Sequence, residues 1–195
     1  MSASSRPSVV LTLLALVGGA PACANSAGSD EPAATAPTIP KATVPIHLDG
    51  EWSEHDWPDV ALRRQFYGDD GKLARPSSEI RMLRDDGNVY VGLYAADDDI
   101  QSKTDAFRIV IGDFAVRVDP LGRIDPAWPG VAVGAEKDGT IDNDQNHDEE
   151  WVLELAIPRA LLPHGITTVA ASRCDTPRRT QQVLCGAWWG VVELP

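Results

Sequence analysis

Aromatic side chains carry most of the ligand-binding potential of this sequence, which contains six tryptophans. An indole offers a flat apolar face, and such a face can stack on the C–H side of a sugar ring. Trp128 lies in the loop sequence DPAWPG, which can scarcely bury it. In the segment AWWGVVEL, alternation groups Trp188 with Val192 and turns Trp189 outward. Trp128 and Trp189 are therefore the leading stacking candidates, and packing at the core edge beneath a loop is the alternative.

Three further aromatic residues are candidates for the same role. Trp52 lies in the polar stretch EWSE. Tyr90 and Tyr94 share one face of a predicted strand, where they either line a groove or pack on a second sheet. Trp151, by contrast, shares the apolar face of its own predicted strand and is expected to be structural.

Oxygen ligands recur at every second position of the stretch DNDQNHDEE, where they are supplied by Asp142, Asp144, Asn146 and Asp148. Calcium binds roughly six to eight oxygens, so these side chains are a candidate calcium site. His147 stands where an EF-hand requires glycine and Leu153 where it requires a bidentate glutamate, so the loop is not an EF-hand. A second acidic group, residues 97–99 followed by Asp105, ends a predicted strand. A solvated acidic loop is the alternative to calcium binding.

Catalysis has little support in the sequence. It contains neither a GxSxG nor an HExxH motif, and its four histidines lack metal-ligand spacing. Because 29 residues are acidic, some pair of carboxylates will always match the separation that glycosidases use. The chain is therefore predicted not to be an enzyme. The formal net charge of -12 repels phosphate backbones and argues against nucleic acid as a partner, whereas it suits a neutral sugar, a divalent cation or simple solubility.

The elements that must position these side chains are short strands. Residues 151–157 alternate in polarity, with one buried face, until Pro158 ends the strand. The sequence DDGN at residues 85–88 is a strong hairpin signal between runs 78–84 and 88–96. Similar short runs follow at residues 107–111, 114–118, 131–135, 167–173 and 186–194. The pattern predicts an all-β fold, an antiparallel β-sandwich of jelly-roll or immunoglobulin-like type with short helical turns.

The beginning of the chain has the three parts of a bacterial export signal, which we assign to residues 1–22. Cys23 follows the small residues APA, which resemble a lipobox, so Cys23 is the predicted lipidation site. Residues 23–44 are rich in Ala, Ser, Thr and Pro and are predicted to be a disordered tether, with the domain at residues 45–195. The protein is thus predicted to be exported, with the lipid anchor as its one membrane contact, and to face the periplasm or the cell surface. Free secretion after ordinary signal cleavage is the alternative.

The odd number of cysteines is also consistent with export from the cytoplasm. An exported chain with three cysteines leaves one unpaired, and Cys23 is the odd one. Cys174 and Cys185 then remain as a predicted disulfide, since disulfides persist outside the cytoplasm. Two buried reduced thiols are the alternative.

Four segments, taken together and in order, resemble the carbohydrate-binding modules of family 9 and related β-sandwiches that include DOMON domains and cytochrome-like haem domains. They are HLDGEWSEHDW, IRMLRDDGNVYVGLYAADDDI, DAFRIVIG and EEWVLELAIPRALL. The resemblance covers about residues 46–162 and extends loosely to ASRCD and AWWG. It implies a sandwich fold, a packing role for Trp57, non-catalytic recognition of a saccharide or cell-envelope glycan, and a structural calcium.

Two other functions remain open beside saccharide recognition. Relatives in this fold group hold a haem between Met and His, and Met82 with His147 could supply such a pair. The second hypothesis is therefore a haem-binding electron-transfer or sensor domain. The third is a structural envelope lipoprotein that binds a protein partner.

Overall fold

Two antiparallel sheets of five strands each make up the described part of the chain, which comprises residues 35–143 and 145–194 of this computed structural model. The predicted export signal, the predicted lipidation site Cys23, residues 24–34 and Asp144 lie outside the described residues. No helix among the described residues is both long and apolar enough to cross a membrane.

The elements follow one another along the chain as α1 (Asp56–Asp59), β1 (Leu62–Gln65), β2 (Ser78–Arg84), β3 (Asn88–Ala96), β4 (Ala106–Ile111), β5 (Phe114–Val118), β6 (Ile124–Asp125), β7 (Ala132–Asp138), β8 (Glu150–Pro158), a 3-10 turn (Arg159–Leu161), β9 (Gly165–Asp175) and β10 (Leu184–Leu194). The first sheet has the strand order β1-β2-β3-β8-β7, and the second has the order β10-β9-β4-β5-β6. The predicted all-β sandwich is confirmed.

The core lies between the two sheets and is supplied by the strand faces that alternation predicted. In β8, Trp151, Leu153, Leu155 and Ile157 are all fully buried. The Trp151 ring lies 4.9 Å, centroid to centroid, from Phe107 of the opposite sheet. Removing these large apolar surfaces from water is the main contribution to the stability of such a fold.

The β2–β3 hairpin forms where the DDGN sequence predicted it. One carboxylate oxygen of Asp85 accepts hydrogen bonds from the backbone N–H groups of Gly87 at 2.7 Å and Asn88 at 2.6 Å. An aspartate side chain that accepts hydrogen bonds from backbone N–H groups two or three residues further along the chain stabilises a turn at that position. The local sequence therefore sets the register of the two strands that carry much of the first sheet.

Residues 35–43, here called the N-terminal arm, pack on the sandwich. Ile39 is fully buried in the core. The arm forms parallel bridges with both sheets, Thr38 with Glu193 of β10 and Lys41 with Arg84 of β2. The packed part of the chain thus begins ahead of the predicted boundary at Val44, because one isoleucine among Pro, Thr and Ala gives no periodic signal. Composition alone placed these residues in the tether.

Cys174 and Cys185 form the predicted disulfide. They lie directly opposite each other in the register of β9 and β10, with their Cα atoms 4.1 Å apart. The bridge closes the connection that joins these two strands.

We expect the double variant Cys174→Ser/Cys185→Ser to lose about 3 kcal/mol of unfolding free energy, because the bridge restricts the unfolded chain. Urea denaturation followed by tryptophan fluorescence measures the difference. Reduced wild-type protein is the control and should unfold at the same urea concentration as the variant. Equal stability of the oxidised wild type and the variant would contradict the expectation.

Candidate functional site

The outer face of the first sheet carries a groove of about 570 Å³, here called the sheet groove. Strand register explains its lining, since side chains two residues apart on a strand share one face. One row across the sheet contains Arg63, Arg81 and Gly92, and the next contains Gln65, Glu79, Tyr94, Val152 and Glu136. The remaining lining residues are Gly50, Glu51, Trp52, Ser77, Ser78 and Glu150.

Trp52 forms one wall of the sheet groove and lies over Gly92 of β3. A Cβ atom at Gly92 would lie 2.7 Å from the indole Nε1, so only glycine leaves room for this ring. The Trp52 ring stacks on buried Trp57, with centroids 6.0 Å apart, and lies 6.3 Å from the Tyr94 ring. The guanidinium carbon of Arg81 lies 4.1 Å from the Trp52 centroid, which is a cation–π contact. Aromatic and planar cationic groups therefore hold one another in place.

Glu79 orders the polar side of the sheet groove. This carboxylate is 4% exposed and accepts hydrogen bonds from Arg63 Nε at 2.6 Å, from Gln65 Nε2 at 2.5 Å and from Arg81 Nε. Hydrogen bonds to an ionised carboxylate are stronger than bonds between neutral groups, so Glu79 fixes the orientation of two guanidinium groups and one amide. The sheet groove thus presents oriented planar donors beside an indole.

Acceptors face these donors from the other side of the sheet groove. Glu136 and Glu150 contribute carboxylates to this side. Burial, together with the nearby Glu150 carboxylate, raises the pKa of Tyr94 to about 12. Tyr94 is a protonated hydroxyl at neutral pH, as an ordinary tyrosine is, and the sheet groove offers both donors and acceptors.

Glu154, a fully buried side chain on the outward face of β8, positions the turn that leads into Trp52. Its Oε2 accepts hydrogen bonds from the backbone N–H groups of Asp49 at 3.1 Å and Gly50 at 2.8 Å. Gly50 has a φ of 85°, a left-handed conformation that favours glycine. Burial, together with the nearby charges of Glu54 and Asp49, raises the pKa of Glu154 to about 7.

This raised pKa predicts a dependence of stability on pH. Because the folded state holds a proton on Glu154 that the unfolded state releases, the contribution of Glu154 to stability is fully present below about pH 4.5 and is lost as the pH rises through about 7. In Glu154→Gln, the free energy of unfolding should fall less over this range than in the wild type. Urea denaturation at a series of pH values measures it. Glu149→Gln, at an exposed position, is the control, and identical profiles of Glu154→Gln and wild type would rule out this role.

Of the five predicted aromatic candidates, Trp52 and Tyr94 line the sheet groove. Tyr90 is 8% exposed, and its hydroxyl donates to Asp85 Oδ2 at 2.7 Å. Tyr90 belongs to a small buried cluster with Trp57. It lies in this outer apolar layer because the segment that carries Trp57 covers that half of the sheet.

Trp128 and Trp189 lie away from the sheet groove. Trp128 is half-buried, packs on Phe114 with ring centroids 5.0 Å apart, and donates its indole N–H to the Ala115 carbonyl at 3.0 Å. Trp128 thus packs at the edge of the core, which was the alternative to a role in stacking on a ligand. Trp189 is 75% exposed on the outer face of the second sheet. Its outward direction follows the alternation in β10, but the sheet groove belongs to the other sheet.

Sequence reasoning did not single out Arg63, Gln65, Glu79 and Arg81 of the sheet groove. These polar residues occupy alternate positions of two neighbouring strands. The same pattern is typical of a sheet face that is simply exposed to solvent, so it did not indicate a binding site. Only the side chain of Glu79, buried among three donors, reveals that this face is organised.

The described oxygens of the predicted calcium loop serve the backbone and neighbouring side chains. Asp142 accepts hydrogen bonds from Ser102 N at 3.0 Å and Ser102 Oγ at 2.6 Å. Asp148 is fully buried and accepts from Ile100 N at 2.9 Å and Thr140 N at 2.7 Å. Asn146 accepts a bond from the Thr140 hydroxyl at 2.7 Å. Calcium at these four positions stays a prediction.

The residues of the haem hypothesis have different surroundings. Met82 is fully buried in the core between the sheets, whereas His147 is exposed in the loop between β7 and β8. The haem hypothesis stays a prediction.

Solved structures with the same fold include two of carbohydrate-binding modules of family 9 from Caldicellulosiruptor kristjanssonii. The structure in complex with glucose matches with a TM-score of 0.57 at 13% identity, over 81% of this chain and 94% of that chain. The structure in complex with cellotriose matches with a TM-score of 0.55 at 12% identity, over 77% of this chain and 82% of that chain. No protein-family model and no curated protein matches the chain. The fold is therefore similar to that of family 9 modules, as the sequence motifs predicted.

Proposed function

We propose that this protein is a non-catalytic carbohydrate-binding protein and that the sheet groove holds the saccharide. The observation that carries the proposal is the joint placement of Trp52 and Tyr94 beside the donors that Glu79 orients. A saccharide combines apolar C–H surface with neighbouring hydroxyl groups that both donate and accept hydrogen bonds. A ligand of this kind fits a groove in which aromatic surface lies beside fixed polar groups.

Preorganisation strengthens this assignment. Arg63, Gln65 and Arg81 are already ordered by one buried carboxylate, so a ligand would not have to immobilise each side chain on binding. Ordering a long side chain costs about 0.5–1.5 kcal/mol at an interface, and this cost is lower in a groove that is ordered beforehand. Both signs of charge are present, which favours a neutral polyhydroxyl ligand over an ion.

The two solved structures with this fold support the same ligand class, since they were determined with glucose and with cellotriose. Function does not follow from a shared fold alone. The proposal therefore depends on the sheet groove of this chain, and the likeness supports only the choice of sugar as ligand.

Titration calorimetry with a panel of neutral oligosaccharides, together with pull-down on insoluble polysaccharides, tests the proposal. Binding of at least one glycan, with a stoichiometry of one and no cleavage products by chromatography, would support it. Absence of binding across the panel by folded protein would contradict it, and released sugar would contradict the non-catalytic part.

Export and lipid anchoring are a separate part of the proposed function. They are supported by the apolar run at residues 9–17 and the small residues ahead of Cys23. Mass spectrometry of the N-terminal peptide from a membrane fraction tests both, because a diacylated Cys23 has a distinct mass and free secretion would leave an unmodified N-terminus.

A further inference from the structure

Two arginines face each other on the outer side of the second sheet. Arg108 of β4 and Arg117 of β5 are directly opposite in the register of these neighbouring strands. Both side chains line a cavity of about 280 Å³, here called the arginine cavity, together with Thr104 and Ser172. The arginine cavity is separate from the sheet groove, because β4, β5 and β9 belong to the second sheet and the groove lies on the first.

Neither guanidinium of the arginine cavity is neutralised by a carboxylate. Among the described residues, no acidic side chain forms an ion pair with Arg108 or Arg117, although Asp125 is opposite Arg117 on β6. Arg117 Nη2 donates instead to the backbone carbonyls of Lys103 at 3.4 Å and Asp105 at 3.5 Å. Like charges directly opposite each other destabilise a pair of strands, so an anion bound between the two arginines would be stabilising.

The local charge at the arginine cavity is opposite in sign to that of the whole chain, whose formal net charge is -12. At physiological ionic strength the screening length is about 8 Å, so the nearest groups decide which ion binds there. A guanidinium matches the paired oxygens of a carboxylate, sulfate or phosphate. Ser172 lies opposite Arg108 on β9 and adds a neutral hydroxyl donor. The arginine cavity therefore suits an oxyanion.

An apolar row beside the arginine cavity indicates what such an oxyanion is attached to. Across β5, β4, β9 and β10, this row consists of Ala115, Val110, Ala170 and Trp189. The first three side chains are small and half-buried, whereas the Trp189 indole is 75% exposed. Strands about 4.8 Å apart, with a rise of about 3.4 Å per residue, place the backbone of Trp189 about 12 Å from that of Arg108. A ligand that contacts both must be an extended molecule.

We propose that the outer face of the second sheet binds an acidic oligosaccharide. Arg108 and Arg117 would hold one carboxylate or sulfate group, and a neighbouring sugar ring would stack on Trp189 through its C–H face. This inference rests on the proposed recognition of saccharides and adds a second site for ligands of a different charge. The guanidiniums line a cavity, which favours a soluble chain whose charged group can enter it over the broad surface of a bilayer.

Titration calorimetry of the full chain with two acidic probes tests the proposal. Tetragalacturonate carries carboxylates and a carrageenan tetrasaccharide carries sulfates, so the comparison also identifies the preferred oxyanion. At least one probe should bind. Arg108→Gln and Arg117→Gln should each lower its affinity by about 10-fold, because each removes a charged hydrogen bond. Trp189→Ala should have an effect of similar size. Lys137→Gln removes an exposed positive charge from the first sheet and is the matched control, which should bind like the wild type.

The sheet groove is titrated in parallel with a neutral glycan, so that the two sites can fail separately. The double variant Arg108→Gln/Arg117→Gln should keep the affinity for the neutral glycan, which verifies its fold, and Trp52→Ala should keep the affinity for the acidic probe. Acidic binding without neutral binding would overturn the sheet groove alone. Neutral binding without acidic binding would overturn the second site alone, and loss of both would overturn both.

Two further outcomes would overturn the second site. One is full affinity of the double variant for the acidic probe, since the two arginines would then contribute nothing. The other comes from sedimentation with phosphatidylglycerol vesicles. Vesicle binding that the double variant loses, in a protein that binds neither acidic probe, would assign this face to a membrane surface instead.

Discussion

Trp52→Ala is expected to lower the affinity for the proposed saccharide ligand by about 30-fold, which corresponds to about 2 kcal/mol. The indole supplies a wall of the sheet groove and supports Arg81 through a contact of 4.1 Å. Truncation would therefore remove apolar contact with the ligand and would also release an ordered donor. Titration calorimetry with the best glycan from the panel measures the change.

Two other variants make this test specific. Gly92→Ala keeps every aromatic residue, but its Cβ would lie 2.7 Å from the Trp52 indole nitrogen, so it should displace the ring and weaken binding as well. Trp189→Ala removes a 75% exposed indole from the second sheet and should bind like the wild type. Full affinity in Trp52→Ala combined with weak binding in Trp189→Ala would move the site to the second sheet. Circular dichroism of each variant verifies that the sandwich is intact.

Arg173→Met is expected to lower the free energy of unfolding by about 3–5 kcal/mol, because it leaves a buried carboxylate without its cation. Arg173 is 3% exposed and bonds Asp97 at 2.7 Å and the Ala96 carbonyl at 3.0 Å. These bonds link β9 of the second sheet to the end of β3 in the first. Methionine has a similar length but supplies no donor to either acceptor.

Urea denaturation followed by tryptophan fluorescence measures the effect of Arg173→Met. Arg108→Met is the matched control, since Arg108 lies on the neighbouring strand β4 with its side chain exposed. Surface substitutions of this kind usually change stability by less than about 0.5 kcal/mol. Similar losses in the two variants would show that the interaction of Arg173 with Asp97 contributes little.

The strands were predictable because burial of one sheet face leaves a period of two in the sequence. Residues 151–157 show this pattern. The turn at Asp85 was also predictable, because the backbone donors that Asp85 binds lie only two and three residues further along the chain. The N-terminal arm was not predictable, since Ile39 is buried by contacts with β2 and β10 that lie far away in sequence. Local sequence patterns thus predict strands and turns, but they do not predict contacts between segments that are far apart in sequence.

The sheet groove was only partly predictable for the same reason. The alternation of buried and exposed residues along a strand predicts on which side of the sheet an aromatic ring lies, so Trp189 was correctly expected to point outward. This alternation does not predict which aromatic rings from different segments of the chain contact one another. Trp52 reaches Tyr94 only because Glu154 fixes the turn at Gly50 and because Gly92 leaves space for the indole. The buried carboxylates of Asp105 and Asp175 likewise lie close together only because β4 pairs with β9.

The N-terminal arm determines how the domain would respond to mechanical tension. A pull on the chain ahead of Thr35 would act in shear on backbone hydrogen bonds to Glu193 and to Arg84, which belong to different sheets. The load would thus be shared by both halves of the sandwich, near the end of β2 opposite Ser78 in the sheet groove.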